Sequence, residues 1–228
     1  MFLKVIDNFL TKSYFKELTN LLIGEEFEWW YTNPTKGHMG NRLNGYGFTH
    51  GIIHCSPVDS RFLNFLQPLL FQILDATDCD FILRARADMV TWSGKEEFAH
   101  PPHVDFPFPN TADVFYLDES DGDTIFHNIY PKDIPKGTHY TELKEYSRSS
   151  PKPNRLIIFD GELVHTGSSP TKHQNRVLIN SNYMKNENIE RERAYSGKSK
   201  EFKIIDNNSK HDQENHNAMN ELYNHWDK

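Results

Sequence analysis

The sequence predicts a mainly β domain with flanking helices, built as an antiparallel sandwich or barrel. Three observations carry that prediction. Residues 113–117, 124–129, 155–160, 163–166 and 176–183 form a series of short, largely apolar runs separated by turns of Gly, Asp and Pro, the spacing of strands joined by tight connections. Two helical apolar stripes precede them. The length of 228 residues, with 37% hydrophobic and 25% charged residues, suits one soluble domain with a sizeable core.

Taken in order, residues 2–6 read as an opening strand. Thr11 or Ser13 can cap a helix over 14–23, with Tyr14, Leu18, Leu21 and Leu22 on one face. Phe27, Trp29, Trp30 and Tyr31 form a short strand-like run, either a substrate wall or, the favoured reading, core packing. Residues 33–51 are rich in Gly and Asn and read as a long loop. Either it borders the mouth of an active site, with Arg42, Tyr46 and His50 touching substrate, or it is a plain surface loop.

Ser56-Pro57-Val58-Asp59 carries a helix-start signature. The helix that follows buries Phe62, Leu63, Leu66, Leu69, Leu70, Ile73 and Leu74, and Pro68 should kink or split it. Residues 81–92 alternate as a long strand. Its polar row, Arg84, Arg86 and Asp88, either lines a cavity or, the reading preferred, faces solvent. Residues 131–153 hold several prolines around a polar middle and read as an excursion on the rim. Residues 184–228 form a polar extension after a domain spanning 1–183. Met219, Leu222, Tyr223 and Trp226 repeat there as a helical stripe, fitted to dock on the body or on a second subunit as a dimer contact.

The formal charge of −7 argues against a surface that coats nucleic acid. No apolar run approaches the roughly 20 residues of a membrane span, and charge interrupts the first residues too early for a signal peptide. The two cysteines, Cys55 and Cys79, have no metal-ligand spacing. A reducing, cytoplasmic setting is expected.

Chemistry concentrates in His100-Pro101-Pro102-His103-Val104-Asp105. In a strand, residues two apart share a face, so His103 and Asp105 would project together as two ligands for a divalent metal. Phe159-Asp160-Gly161-Glu162-Leu163-Val164-His165 offers the third in His165, and eleven residues later Arg176 opens the run Val177-Leu178-Ile179. Two histidines and a carboxylate on one side of a metal leave the opposite positions open, which suits non-haem Fe(II) oxygenases. The competing reading is a hydrogen-bonded His103–Asp105 surface pair and a satisfied core histidine at 165. The odd spacing of His100 should point it away from His103. His127 is either a donor behind another ligand or a core residue.

The order H-x-D, a distant His in a G-x-L-x-H-x-G context and an Arg on the next strand resembles the Fe(II)/2-oxoglutarate dioxygenase superfamily. Within it the chain looks most like the prolyl-4-hydroxylase-like branch, which includes compact members from tailed phages. Tyr116-Leu117-Asp118-Glu119-Ser120-Asp121-Gly122-Asp123-Thr124 is similar to that branch's strand, glycine turn and Thr, with Asp121 where the family usually has a first glycine. The similarity runs over about residues 80–183. It implies a double-stranded β-helix, a jelly-roll or cupin-like barrel supported by N-terminal helices. It implies Fe(II) on His103, Asp105 and His165, with 2-oxoglutarate and O2 in the remaining positions. It also implies that Arg176 binds the C5 carboxylate of 2-oxoglutarate. Some branches add a Ser two residues after the Arg; here that residue is Leu178, so Thr124, with Tyr116 behind it, is the candidate helper. The implied activity is hydroxylation of a C–H bond in a peptide or small molecule, with release of succinate and CO2. The compartment would be a cytoplasm, the host's if the chain is phage-encoded. The rival readings are a cupin-like isomerase or hydrolase on the same metal site, and a metal-binding module without catalysis.

Overall fold

The computed structural model describes residues 2–32, 47–53, 59–92, 94, 99–100, 102–134 and 143–188. In chain order these form β1 (Leu3–Ile6), α1 (Lys12–Ile23), β2 (Trp30–Thr32), β3 (Gly47–Ile53), α2 (Leu63–Ala76), β4 (Phe81–Thr91) and β5 (Thr111–Tyr116). They continue with β6 (Thr124–His127), β7 (Glu145–Ser149), β8 (Arg155–Asp160), β9 (His165–Gly167) and β10 (Asn175–Met184). The larger sheet has the order β1-β8-β5-β10-β4-β3-β2 and the smaller β7-β6-β9. All the pairings are antiparallel.

Alternation along the strands sorts the side chains into two layers. On one face of the larger sheet, Ala112, Val114, Tyr116, Ile157, Phe159 and Leu178 pack with Phe126 of the smaller sheet, filling the space between the two as in a jelly roll. On the other face, Ala85, Ala87, Phe115, Leu156, Ile158, Val177 and Ile179 pack against Leu18 and Leu22 of α1 and Leu66, Leu69, Leu70 and Ile73 of α2. The helices thus cover the outer face of the sheet and leave its inner face for the site.

Several expectations shift. The first helix begins at Lys12, and Thr11 stands at its N-cap position without a side-chain cap bond. The second begins at Leu63, after the Ser56–Asp59 signature, of which residues 56–58 lie outside the described residues. Pro68 neither ends nor splits it. Proline opens the helical ladder by its missing N–H and its clash with the preceding turn. Here the Tyr14 hydroxyl of α1 enters the gap, donating to the Phe65 carbonyl at 2.8 Å and accepting from the Leu69 N–H at 3.2 Å. Tyr14→Phe is therefore expected to lower stability by about 1 kcal/mol, read as an earlier urea midpoint at unchanged slope.

Residues 47–51, taken as the end of a loop, are the start of strand β3, because they pair with β4. Residues 131–153 contain a strand that composition hid: β7, whose Glu, Tyr, Ser and Arg pair with β6 at the sheet edge. Among the aromatics of 27–31, Phe27 is buried and Trp29 packs on the core, but Trp30 and Tyr31 are about half exposed, which core packing does not describe. Cys79 is a free thiol against the Thr111 hydroxyl. Cys55, Arg42, Tyr46 and the helical stripe at 219–226 lie outside the described residues. No helix among the described residues is long and apolar enough to cross a membrane.

Candidate metal centre

His103, Asp105 and His165 converge, with one candidate ligand atom from each lying within 4.8 Å of the others. The route differs from the expected strand. In backbone pairing, the described residues around 99–105 meet the 165–168 segment through isolated bridges at Ala99–Ser168 and His103–His165 and not a ladder, since Pro102, Pro107 and Pro109 supply no N–H to extend one. The His103 N–H donates to the His165 carbonyl at 2.8 Å and the His165 N–H donates back at 2.9 Å. That exchange sets both imidazoles on one face, 4.7 Å apart between ring centroids. Asp105 follows in a bend.

The hydrogen bonds fix one tautomer. His165 Nδ1 lies 2.9 Å from the Leu163 carbonyl, which can only accept, so Nδ1 carries the proton and Nε2 keeps its lone pair. Burial lowers the pKa of His165, against the opposing pull of Asp105. A neutral imidazole is the form a metal needs.

Asp105 is held from behind. Arg84 Nη2 lies 3.0 Å from Oδ1, while the Asn180 and Asn182 amides reach Oδ2 at 3.3 and 3.1 Å. Burial pushes this carboxyl up, but Arg84, His165, Arg86 and His103 outweigh it and hold the group well below the usual carboxylate range. Asn182 also donates to the Asn110 side chain at 3.1 Å. A Cβ at Gly161 would meet that Asn110 carboxamide at 2.0 Å, so the Asp160-Gly161 turn that leads to His165 needs its glycine for this approach. Asn180 and Asn182 went unnoticed as site residues, and Arg84 was weighed only as one of a polar row. The solvent-facing reading of the β4 polar row fails at Arg84, whose side chain is 12% exposed. The available signal was two asparagines, two apart, inside an otherwise apolar strand: buried amides require partners.

Arg176, 4% exposed, lies on the same inner face. Its Nη2 donates to Thr124 Oγ1 at 2.6 Å, and the Tyr116 hydroxyl is 2.6 Å from that same oxygen. The Tyr116 ring lies under the guanidinium at 5.6 Å. A Cβ at Gly122 would meet Arg176 Cδ at 2.9 Å and the Ser168 carbonyl at 2.5 Å, so the chain passes close there. Asp121, at the position where a first glycine was expected, accepts from the N–H groups of Thr171 and Lys172 and lies 2.9 Å from His173 Nδ1. It thereby ties the turn before β10, which positions Arg176.

Among the described residues, His50, His127 and His100 are not part of the ligand group. His50, expected at a loop mouth, is a buried strand residue: its Nδ1 donates to the Glu28 carbonyl at 2.6 Å, its Nε2 is 2.6 Å from Ser60 Oγ, and Phe27 and Phe62 pack on it. His127 directs Nδ1 toward the Lys144 carbonyl at 3.3 Å. His100 is buried, with Nε2 3.2 Å from Ser169 Oγ.

Burial, then Arg176 and His103, push the His100 pKa down to about 4; burial lowers His50 as well. The unfolded chain takes up a proton on each below about pH 6.5, and the fold delays that uptake, for His100 until near 4. Their stabilisation is therefore complete above about pH 6.5 and is lost as pH falls toward 4. His100 alone should account for on the order of 3 kcal/mol, read from urea midpoints at pH 7.5 and 4.5.

The donor set fits a divalent cation: two imidazoles and a carboxylate, close enough to share one ion and joined to supporting hydrogen bonds. The interior also fits an anion. Arg176 is a buried cation whose Nε has no hydrogen-bond partner among the described residues, and a buried charge calls for an opposite one.

No family model matches the chain, and no curated protein matches it in sequence. Solved structures match its fold. The non-haem α-ketoglutarate-dependent epimerase SnoN from nogalamycin biosynthesis is 11% identical over 80% of this chain and 77% of its own, with a TM-score of 0.59. A Trichoplax adhaerens prolyl hydroxylase, solved with a peptide fragment of the hypoxia inducible factor, is 15% identical over 85% of this chain and 86% of its own, with a TM-score of 0.56. HygX from Streptomyces hygroscopicus, solved with nickel, 2-oxoglutarate and hygromycin B, is 12% identical over 81% and 83%, with a TM-score of 0.57. The chain has the jelly-roll fold of 2-oxoglutarate- and iron-dependent oxygenases, prolyl hydroxylases among them.

Proposed function

We propose that the protein is a non-haem Fe(II)- and 2-oxoglutarate-dependent dioxygenase that hydroxylates a C–H bond of a peptide or small molecule. One observation carries the reading: a converging His–Asp–His group and a buried Arg–Thr pair occur together inside a jelly roll whose fold neighbours use iron and 2-oxoglutarate.

In this reading His103, Asp105 and His165 hold the metal from one side. Iron with 2-oxoglutarate and O2 supplies the oxidising power, yielding succinate and CO2. The protein's own contribution is placement. The Leu163 carbonyl keeps His165 in the tautomer that presents Nε2. Asn180 and Asn182 orient Asp105 through Oδ2, and Arg84 lies against Oδ1. Arg176, with Thr124 beside it, receives the C5 carboxylate through charge-assisted hydrogen bonds, and Tyr116 holds the Thr124 hydroxyl from behind. Phe126, Phe159 and Leu178 exclude water from the interior.

The neighbours were solved with a peptide fragment, nogalamycin RO and hygromycin B, so both substrate classes stay within the proposal. The test is succinate formation and oxygen uptake by the iron-loaded protein, screened over peptides, amino acids and small molecules. Coupled, iron-dependent succinate production supports an oxygenase. Activity with zinc and no succinate points instead to redox-neutral chemistry. Succinate with an isomerised rather than hydroxylated product points to an outcome like that of the neighbouring epimerase.

A further inference from the structure

Arg84 places a buried positive charge directly behind Asp105. Its Nη2 is 3.0 Å from Asp105 Oδ1, with side chains only 12% and 4% exposed. Its other acceptors, Asn180 Oδ1 at 3.2 Å and Asn182 Oδ1 at 2.9 Å, are neutral, and its planar face lies over Phe106 at 4.8 Å. Among the described residues no second carboxylate is paired with it. Asp113 lies on the opposite face of β5, paired in register with Ser181, and burial pushes its carboxyl well above the usual range. Asp88 is engaged by Arg86 at 2.8 Å.

We propose that Arg84 cancels the charge of the His103–Asp105–His165 ligand set and thereby makes divalent-metal binding depend on the dianionic cosubstrate. The inference rests on the oxygenase reading above. Two neutral imidazoles and a carboxylate carry one negative charge; with Arg84 the group carries none. The direct attraction for a dication is largely removed, at a cost of roughly 10- to 100-fold in affinity for a charge at this range in a partly buried site. A 2-oxo acid with two carboxylates restores the balance, one charge at the metal and one at Arg176. Metal and cosubstrate must then tighten each other by the same factor. Arg84 is in this sense a positioning residue that acts through Asp105.

The experiment measures Mn(II) dissociation constants by calorimetry, with and without 2-oxoglutarate, for the wild-type protein and for Arg84→Gln, Arg84→Met and Arg84→Lys, with circular dichroism as the folding control. For the wild type, 2-oxoglutarate should tighten Mn(II) by about tenfold or more. Arg84→Gln and Arg84→Met should bind Mn(II) alone more tightly than wild type and lose most of that coupling, while Arg84→Lys keeps it. A purely structural role has the opposite sign: the neutral variants would bind metal more weakly, and that result overturns the proposal. So does a wild-type affinity that 2-oxoglutarate leaves unchanged, a measurement that needs no variant to fold. Failure of the wild type to bind Mn(II) under either condition overturns the oxygenase reading itself, a different outcome.

Discussion

His165→Ala should abolish iron-dependent conversion of 2-oxoglutarate to succinate, with a loss of roughly 1,000-fold or more, as expected when a metal centre loses one of three ligands. His165 is fixed on every side: by the backbone exchange with His103, by the Nδ1 bond to Leu163, and by the edge of Phe159 at 4.9 Å. Its Nε2 therefore cannot be replaced by a shift of a neighbouring side chain. The backbone bridge to His103 uses N–H and C=O groups and survives the substitution, so the fold should persist with a modest drop in stability. Mn(II) binding should weaken in parallel, and prior treatment with a chelator should make wild type and variant alike. His127→Ala serves as the contrast: its Nδ1 faces Lys144 on the other side of β6, and it should retain turnover. Substantial succinate formation by His165→Ala would remove this residue from the site.

The grouping of His103, Asp105 and His165 was legible because metal chemistry restricts residue type: few side chains other than His, Asp, Glu and Cys serve, and a jelly roll brings separated strands together. The path between them was less so. His103 and Asp105 were expected to share a face of a strand, yet a single bridge and a bend bring them together. Prolines prevent a ladder while leaving one antiparallel exchange intact. Arg84 was visible as one of a polar row, but alternation states only that a row shares a face, not which face meets water. That is decided by where α1 and α2 pack, a tertiary matter. The same limit hid His50, which looked like a loop residue and is a buried strand residue held between the Glu28 carbonyl and Ser60. Strand β7 was missed because an edge strand with a polar sequence lacks the apolar signature on which strand recognition depends. Asp121 shows the reverse: a departure from a motif that has a local structural reason, since its carboxylate gathers the backbone donors of the 171–173 turn.

Arg176→Lys should weaken 2-oxoglutarate binding by roughly 30- to 100-fold while leaving turnover at saturating cosubstrate nearly unchanged, because it replaces two parallel charge-assisted donors with a single point charge. The geometry makes the fork specific. One guanidinium nitrogen is already committed to Thr124 Oγ1 at 2.6 Å, and the close passage of the chain at Gly122 confines the side chain near Cδ. The Tyr116 ring lies 5.6 Å from the guanidinium carbon. A lysine keeps the charge but cannot satisfy both Thr124 and a carboxylate in one plane. Thr124→Val should cost less, about tenfold in affinity, since it removes one neutral acceptor that orients the fork, and Tyr116→Phe less again, since it acts only through Thr124. The expected order of apparent cosubstrate constants is thus Arg176→Lys, then Thr124→Val, then Tyr116→Phe, all above wild type. An unchanged 2-oxoglutarate constant for Arg176→Lys would show that the C5 carboxylate is held elsewhere. A fall in saturated turnover without a change in that constant would show that Arg176 acts on the chemical step and not on binding.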